Sequence, residues 1–132
     1  MRQEITSQET PGIDNVAVIS VGEDNSVFAS LATSLMEIRK LKGVQGYILR
    51  GNSSAVIDLA EQDKVIDYAI LSTQIEDACR SIAKNFSLAE TESVLVEGRD
   101  VKVLCMNVSG NRMSIFMDKS AMHSGIIKRI LL

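Results

Sequence analysis

Val101-Lys102-Val103-Leu104-Cys105-Met106-Asn107-Val108 reads as a strand that is apolar on both sides. Side chains alternate across a strand, so Val101, Val103 and Cys105 point one way while Leu104, Met106 and Val108 point the other. Beyond Lys102, both faces of the sheet that holds this strand must therefore be covered. One layer of helices would not suffice. The flanking segments supply its neighbours: Val94-Leu95-Val96 comes before it across the turn Glu97-Gly98-Arg99-Asp100. Met113-Ser114-Ile115-Phe116-Met117 follows across Ser109-Gly110-Asn111. Short apolar runs separated by glycine turns predict a three-stranded antiparallel meander.

Upstream, Val44 to Arg50 and Ser54 to Leu59 are two further apolar runs split by Gly51-Asn52-Ser53. They predict a β-hairpin whose Gly and Asn take the positive φ of a tight turn. Helices separate these strand groups. Val27, Phe28, Leu31, Leu35 and Ile38 recur at spacings of three and four, predicting an amphipathic helix of about 18 residues. Glu23-Asp24-Asn25-Ser26 cap its start, and Arg39, Lys40 and Lys42 complement the dipole at its end. A second, longer helix runs from about Asp63 to Asn85, with a core face of Tyr68, Leu71, Ile75, Ala78, Cys79, Ile82 and Phe86. Opposite that face, Ile66 and Ile70 stand beside Thr73, Asp77 and Ser81, where a solvated helix has no need of isoleucine. A last helix carries Met122, Ile126, Ile127, Ile130 and Leu131, with Lys128 and Arg129 near its end.

Residues 1–14 are polar, contain the single proline, Pro11, and are expected to be a flexible tail. Residues 15–22, built on Val16 to Val21, are expected to form an extra strand or arm. The domain proper is then 23–132.

Composition narrows the function. A chain of 132 residues is long enough for one core. A net charge of −3 and a pI near 5.1 lack the basic footprint of a duplex binder. Three Phe, two Tyr and no Trp leave little with which to stack the bases of a single strand. Nucleic acid is not the expected partner. The first residues lack the apolar core of a signal peptide, and no run reaches membrane-spanning length. Cys79 and Cys105 sit in apolar surroundings without a CxxC or Cys/His cluster. The expected compartment is the reducing cytoplasm, with membranes reached only through partners.

The order helix, two strands, helix, three strands, helix, with Leu41-Lys42-Gly43-Val44-Gln45-Gly46-Tyr47-Ile48-Leu49 leading into the first core strand, resembles the Roadblock family. That family comprises dynein light chains and prokaryotic regulators of Ras-like GTPases. Its Gly-Val-x-Gly motif is matched by Gly43, Val44 and Gly46, and its short glycine turn by Gly110. The likeness covers roughly residues 24–132. It implies an α/β (α+β) fold: a five-stranded antiparallel sheet between one long helix and the two terminal helices, related to profilin, in the order α-β-β-α-β-β-β-α. It also implies a homodimer joined edge to edge through the third strand of the fold, with the long helices packed together. Carried onto this chain, Val94 and Val96 lie on the joining edge, and Ile66, Ile70, Thr73 and Asp77 lie at the helix seam. The resemblance further implies a non-enzymatic scaffold or regulator that binds a Ras-like small GTPase or a multiprotein complex, without a cofactor.

The residues offer little chemistry. No phosphate loop is present, and Gly22-Glu23-Asp24 puts carboxylates where a phosphate-binding helix would avoid them. His123 beside Ser120 and Ser124 permits a Ser/His pair to be drawn, but no glycine-rich nucleophile turn accompanies it. Metal binding has one His and no spaced Cys or carboxylate set behind it. Two readings compete with the interaction module: a small-molecule sensor of profilin-like or PAS-like architecture, and a hydrolase built on His123.

Overall fold

The computed structural model describes residues 4–6, 16–20, 26–88 and 92–131. Strands β1 (Glu4–Thr6) and β2 (Val16–Ser20) come first, followed by α1 (Ser26–Ile38), β3 (Val44–Arg50) and β4 (Ser54–Leu59). A 3-10 turn (Gln62–Lys64) leads into α2 (Val65–Asn85). The chain then runs through β5 (Ser93–Glu97), β6 (Val101–Val108), β7 (Asn111–Asp118) and α3 (His123–Leu131). From α1 onward this is the expected order. The five core strands form one antiparallel sheet, β4-β3-β7-β6-β5, which β2 and then β1 extend beyond β4. Glu4–Thr6 thus form a strand within the stretch read as a tail. The rest of that stretch, and the caps proposed at Glu23 to Asn25, lie outside the described residues.

The sheet is buried on both sides. Tyr47, Leu49, Val56, Leu104, Met106, Met113, Ile115 and Met117 meet Phe28, Leu31, Leu35 and Ile38 of α1 and Ile126 of α3. Ile48, Leu59, Val103, Cys105 and Phe116 meet Ile75 of α2, with Val65, Tyr68, Ala69, Leu71 and Cys79 packed around it. Tyr68 stacks on Phe116 with ring centroids 4.3 Å apart. The centre of this second seam is polar and small: the Ser72 and Ser114 hydroxyls hydrogen-bond each other, and Ser114 Oγ lies 3.4 Å from Cys105 Sγ. Lys102, the polar exception on β6, is nonetheless buried; its ammonium reaches His123 Nδ1 at 3.3 Å.

The glycine motif has a steric basis. Gly43 takes φ +90, a conformation that L side chains rarely adopt, and its carbonyl accepts the Asp118 N–H at 2.7 Å. Gly46 sits at a bulge in the β3–β7 pairing, where a Cβ would fall 2.3 Å from Asp58 O and 2.7 Å from Leu59 Cα. Only a hydrogen lets β4 approach this closely. At the other end, Ser109 (φ +51) and Gly110 (φ +81) form the two-residue turn joining Val108 to Asn111, both with the positive φ that such hairpins need.

Several expectations change. The β3–β4 turn uses no positive φ at Gly51 or Asn52. Gly51 is required for space, since a Cβ there would lie 2.8 Å from Phe28 Cδ2. Helix α1 has 13 residues rather than about 18, because the chain leaves the helix after Ile38. Arg39, which follows the last residue of α1, also makes long-range contacts. Its Nη1 donates to Val44 O at 3.0 Å, and its Nε lies 3.4 Å from Oδ1 of the buried Asp58. Burial raises the pKa of Asp58 against the opposing pull of Arg39. The neighbouring Tyr47 hydroxyl, buried and beside the Asp58 charge, is pushed up to about 12. Met122, expected within the last helix, precedes α3 and is exposed.

Candidate protein-interaction surface

Strand β5 ends the sheet, with β6 as its single described neighbour. Val94 and Val96 pair with Cys105 and Val103, which places both on the α2 side of the sheet. Val94 is half-buried against the core there, and Val96 is exposed. Among the described residues no strand pairs with the outward backbone of β5, whose hydrogen-bonding groups suit another strand. Neither Lys nor Pro blunts it.

Helix α2 carries the other expected residues. Ile66 is 73% exposed and Ile70 52%, so a row of isoleucine faces away from the core. Asp77, on the same face, pairs with Arg80 at 3.2 Å. Thr73 is exposed on that face; its hydroxyl donates to Ala69 O at 3.1 Å and accepts Arg50 Nη1 at 3.3 Å. Beside it Glu76, with only 12% of its side chain exposed, bridges Arg50 at 2.6 Å and Arg112 at 3.5 Å. Arg50 and Arg112 are cross-strand partners on β3 and β7, so one carboxylate from α2 neutralises two cations of the sheet. This clamp fixes the helix over the strands.

The structure does not merge these features into one patch. Ile66 and Ile70 lie on the first half of α2. The second half, through Cys79, Arg80 and Ala83, borders a cavity of about 370 Å³ shared with Ser93, Val94, Cys105, Asn107 and Arg112. Burial raises the Cys105 thiol pKa against the Ser114 hydrogen bond.

Sequence reasoning placed Ala78, Ile82 and Phe86 in the core, and here it fails. All three are exposed, Phe86 at 73%, and Leu88 beyond them is exposed as well. At 100° per residue Ile82 and Phe86 do lie near the inward face, yet neither is covered by the sheet.

His123 faces Lys102 and not a serine. Among the described residues no group of three or more His, Cys, Asp or Glu could hold a metal ion, and no helix is long and apolar enough to cross a membrane.

No protein-family model matches the sequence, and no curated protein does. Solved structures do match. A Roadblock domain from Streptomyces avermitilis aligns with 83% of this chain and 90% of its own, at 12% identity and a TM-score of 0.61. The fold is that of the Roadblock domains. The gliding protein MglB of Thermus thermophilus shares it, with 14% identity, 83% and 87% coverage and a TM-score of 0.62. So does Myxococcus xanthus MglB, with 16% identity, 84% and 86% coverage and a TM-score of 0.61. A further MglB structure, at 14% identity and a TM-score of 0.62, is described as a tetrameric arrangement. At these identities the Roadblock likeness speaks to architecture.

Proposed function

We propose that this chain is a non-enzymatic, dimerising interaction module that binds a Ras-like small GTPase, or a larger complex containing one, and regulates or scaffolds it in the cytoplasm. Residues 23–132 form the working domain. The observation that carries this reading is an unblunted β5 edge together with the exposed Ile66 and Ile70 on α2. A second copy joining at β5 covers Val94 and Val96 and brings the two α2 helices toward each other, burying on the order of 1,600 Å² in total. The Roadblock fold supports the family resemblance read in the sequence, and it is that resemblance which implies a GTPase as the further partner.

Sedimentation velocity tests the dimer. The wild-type chain is expected to sediment as a dimer, and Ile70→Glu and Val94→Arg to shift it toward monomer or aggregate, because each buries an unpaired charge at the seam. Unchanged mass in both variants refutes the seam. Titrating purified Ras-like GTPases in GDP and GTP-analogue forms tests the partner; equal, negligible binding of both forms removes the regulatory reading. The cavity beside β5 favours one alternative, a small-molecule sensor, since its volume falls within the range of ligand pockets. Native mass spectrometry showing a bound small molecule on the purified protein would decide for it.

A further inference from the structure

The two ends of the sheet are built differently. At one end β5 is open. At the other, the chain covers its own edge: β2 pairs antiparallel with β4 in unbroken register from Val16↔Asp58 to Ser20↔Ser54, and β1 adds three residues outside it. A strand edge is a template for any extended chain that reaches it, and a very short edge strand is a poor one. Without its cover, β4 would be a good template. Its sequence, Ser-Ala-Val-Ile-Asp-Leu, holds no Lys or Pro, and its one charge, Asp58, is turned inward onto Arg39.

We propose that the outer edge of β4 is a second self-association site, filled by the chain's own Val16–Ser20 strand, and that this filling stops assembly at a closed dimer. The inference rests on the β5 dimer proposed above. Two copies joined edge to edge at β5 about a two-fold axis use the same surface on each protomer, so that contact closes. If β4 were also bare, it would join β4 of another copy about a different two-fold axis at the opposite end of the sheet. With two-fold axes that do not intersect, two such contacts on one protomer do not close. They repeat as a continuous sheet, and the product is a filament.

The test keeps the full chain and replaces Ala17 and Val18 by proline together. Successive residues of a strand pair with opposite neighbours, so this double change removes a donor facing β4 whichever of the two carries it. Analytical ultracentrifugation with far-UV circular dichroism reads the result. The wild type is expected as a dimer at all concentrations. The Ala17→Pro/Val18→Pro variant, with native helix content, is expected as a concentration-dependent series in multiples of the dimer mass. A synthetic peptide of residues 14–22 returns that series to dimer, and adding Val94→Arg leaves a dimer held through β4 alone. A proline variant that stays a dimer overturns the proposal. So does aggregation that neither the peptide nor Val94→Arg reverses. A monomeric wild type whose proline variant dimerises retains the β4 site and discards the β5 reading; if both are monomeric, both fall.

Discussion

Replacing Arg39 by Met leaves Asp58 buried without its cation, and the structure sets the size of the loss. The Asp58 side chain is 4% exposed and its Oδ1 lies 3.4 Å from Arg39 Nε. At an effective dielectric of about 20 that separation corresponds to roughly 5 kcal/mol of attraction, yet burial still raises the Asp58 pKa. Stripped of Arg39, the carboxyl protonates instead of remaining charged. The cost at pH 7 is then at most that of protonating a group whose ordinary value is 3.8, about 4 kcal/mol. At pH about 4.5 the same reckoning leaves about 1 kcal/mol. Loss of the hydrogen bond to Val44 O adds about 1 kcal/mol at either pH. The sign follows from the direction of the shift. A carboxyl whose pKa is raised on folding contributes stability that is fully present below its unfolded value and lost as pH rises through its folded value; removing Arg39 extends that loss upward in pH. Urea unfolding at pH about 7 and about 4.5 should therefore show a deficit for Arg39→Met of at most about 5 kcal/mol, shrinking to at most about 2 kcal/mol. The Arg39→Met/Asp58→Asn double variant should recover most of it at neutral pH. Equal deficits at the two pH values would refute the argument.

Gly46→Ala drives a methyl into the backbone of β4 and should cost about 3 kcal/mol or abolish folding. Gly110→Ala meets only its φ of +81, with nothing within 4 Å, and should cost about 1 kcal/mol. Thermal melts that reverse this order would contradict the close-approach account. Glu76→Gln removes the charge shared by Arg50 and Arg112 and should cost about 2 kcal/mol. Because the two guanidiniums then repel each other, the deficit should narrow in high salt; a salt-independent deficit would count against the clamp.

The layers were legible because strand alternation is insensitive to detail. Val103 against Leu104, or Phe116 against Ile115, divides between two cores whatever the helices do. The positions of Gly43 and Gly46 were legible as a motif, but their steric reasons were not, since they depend on Ala121 and on the β4 backbone, both distant in sequence. Arg39 was read only in part, because a cation at a helix end has a local explanation that conceals a long-range one, here Asp58 on β4. Ser72 escaped notice because a serine on a helix reads as solvent-facing until its partner, Ser114, is known. Of the interaction residues, Ile66 and Ile70 stood out because apolar side chains opposite a core face are anomalous. Ile82 and Phe86 did not, because periodicity reports the direction of a side chain and not whether anything covers it.

The polar seam under α2 has a dynamic consequence. Of that helix's 21 residues only Ser72 and Ile75 are fully buried, whereas β6 and β7 are buried along most of their length. The helix should therefore open at lower cost than the central strands, and its amides should exchange with deuterium well before theirs. A partner that covers Ile66 and Ile70 would register first as slowed exchange along α2, a residue-resolved footprint of binding obtainable without knowing what the partner is.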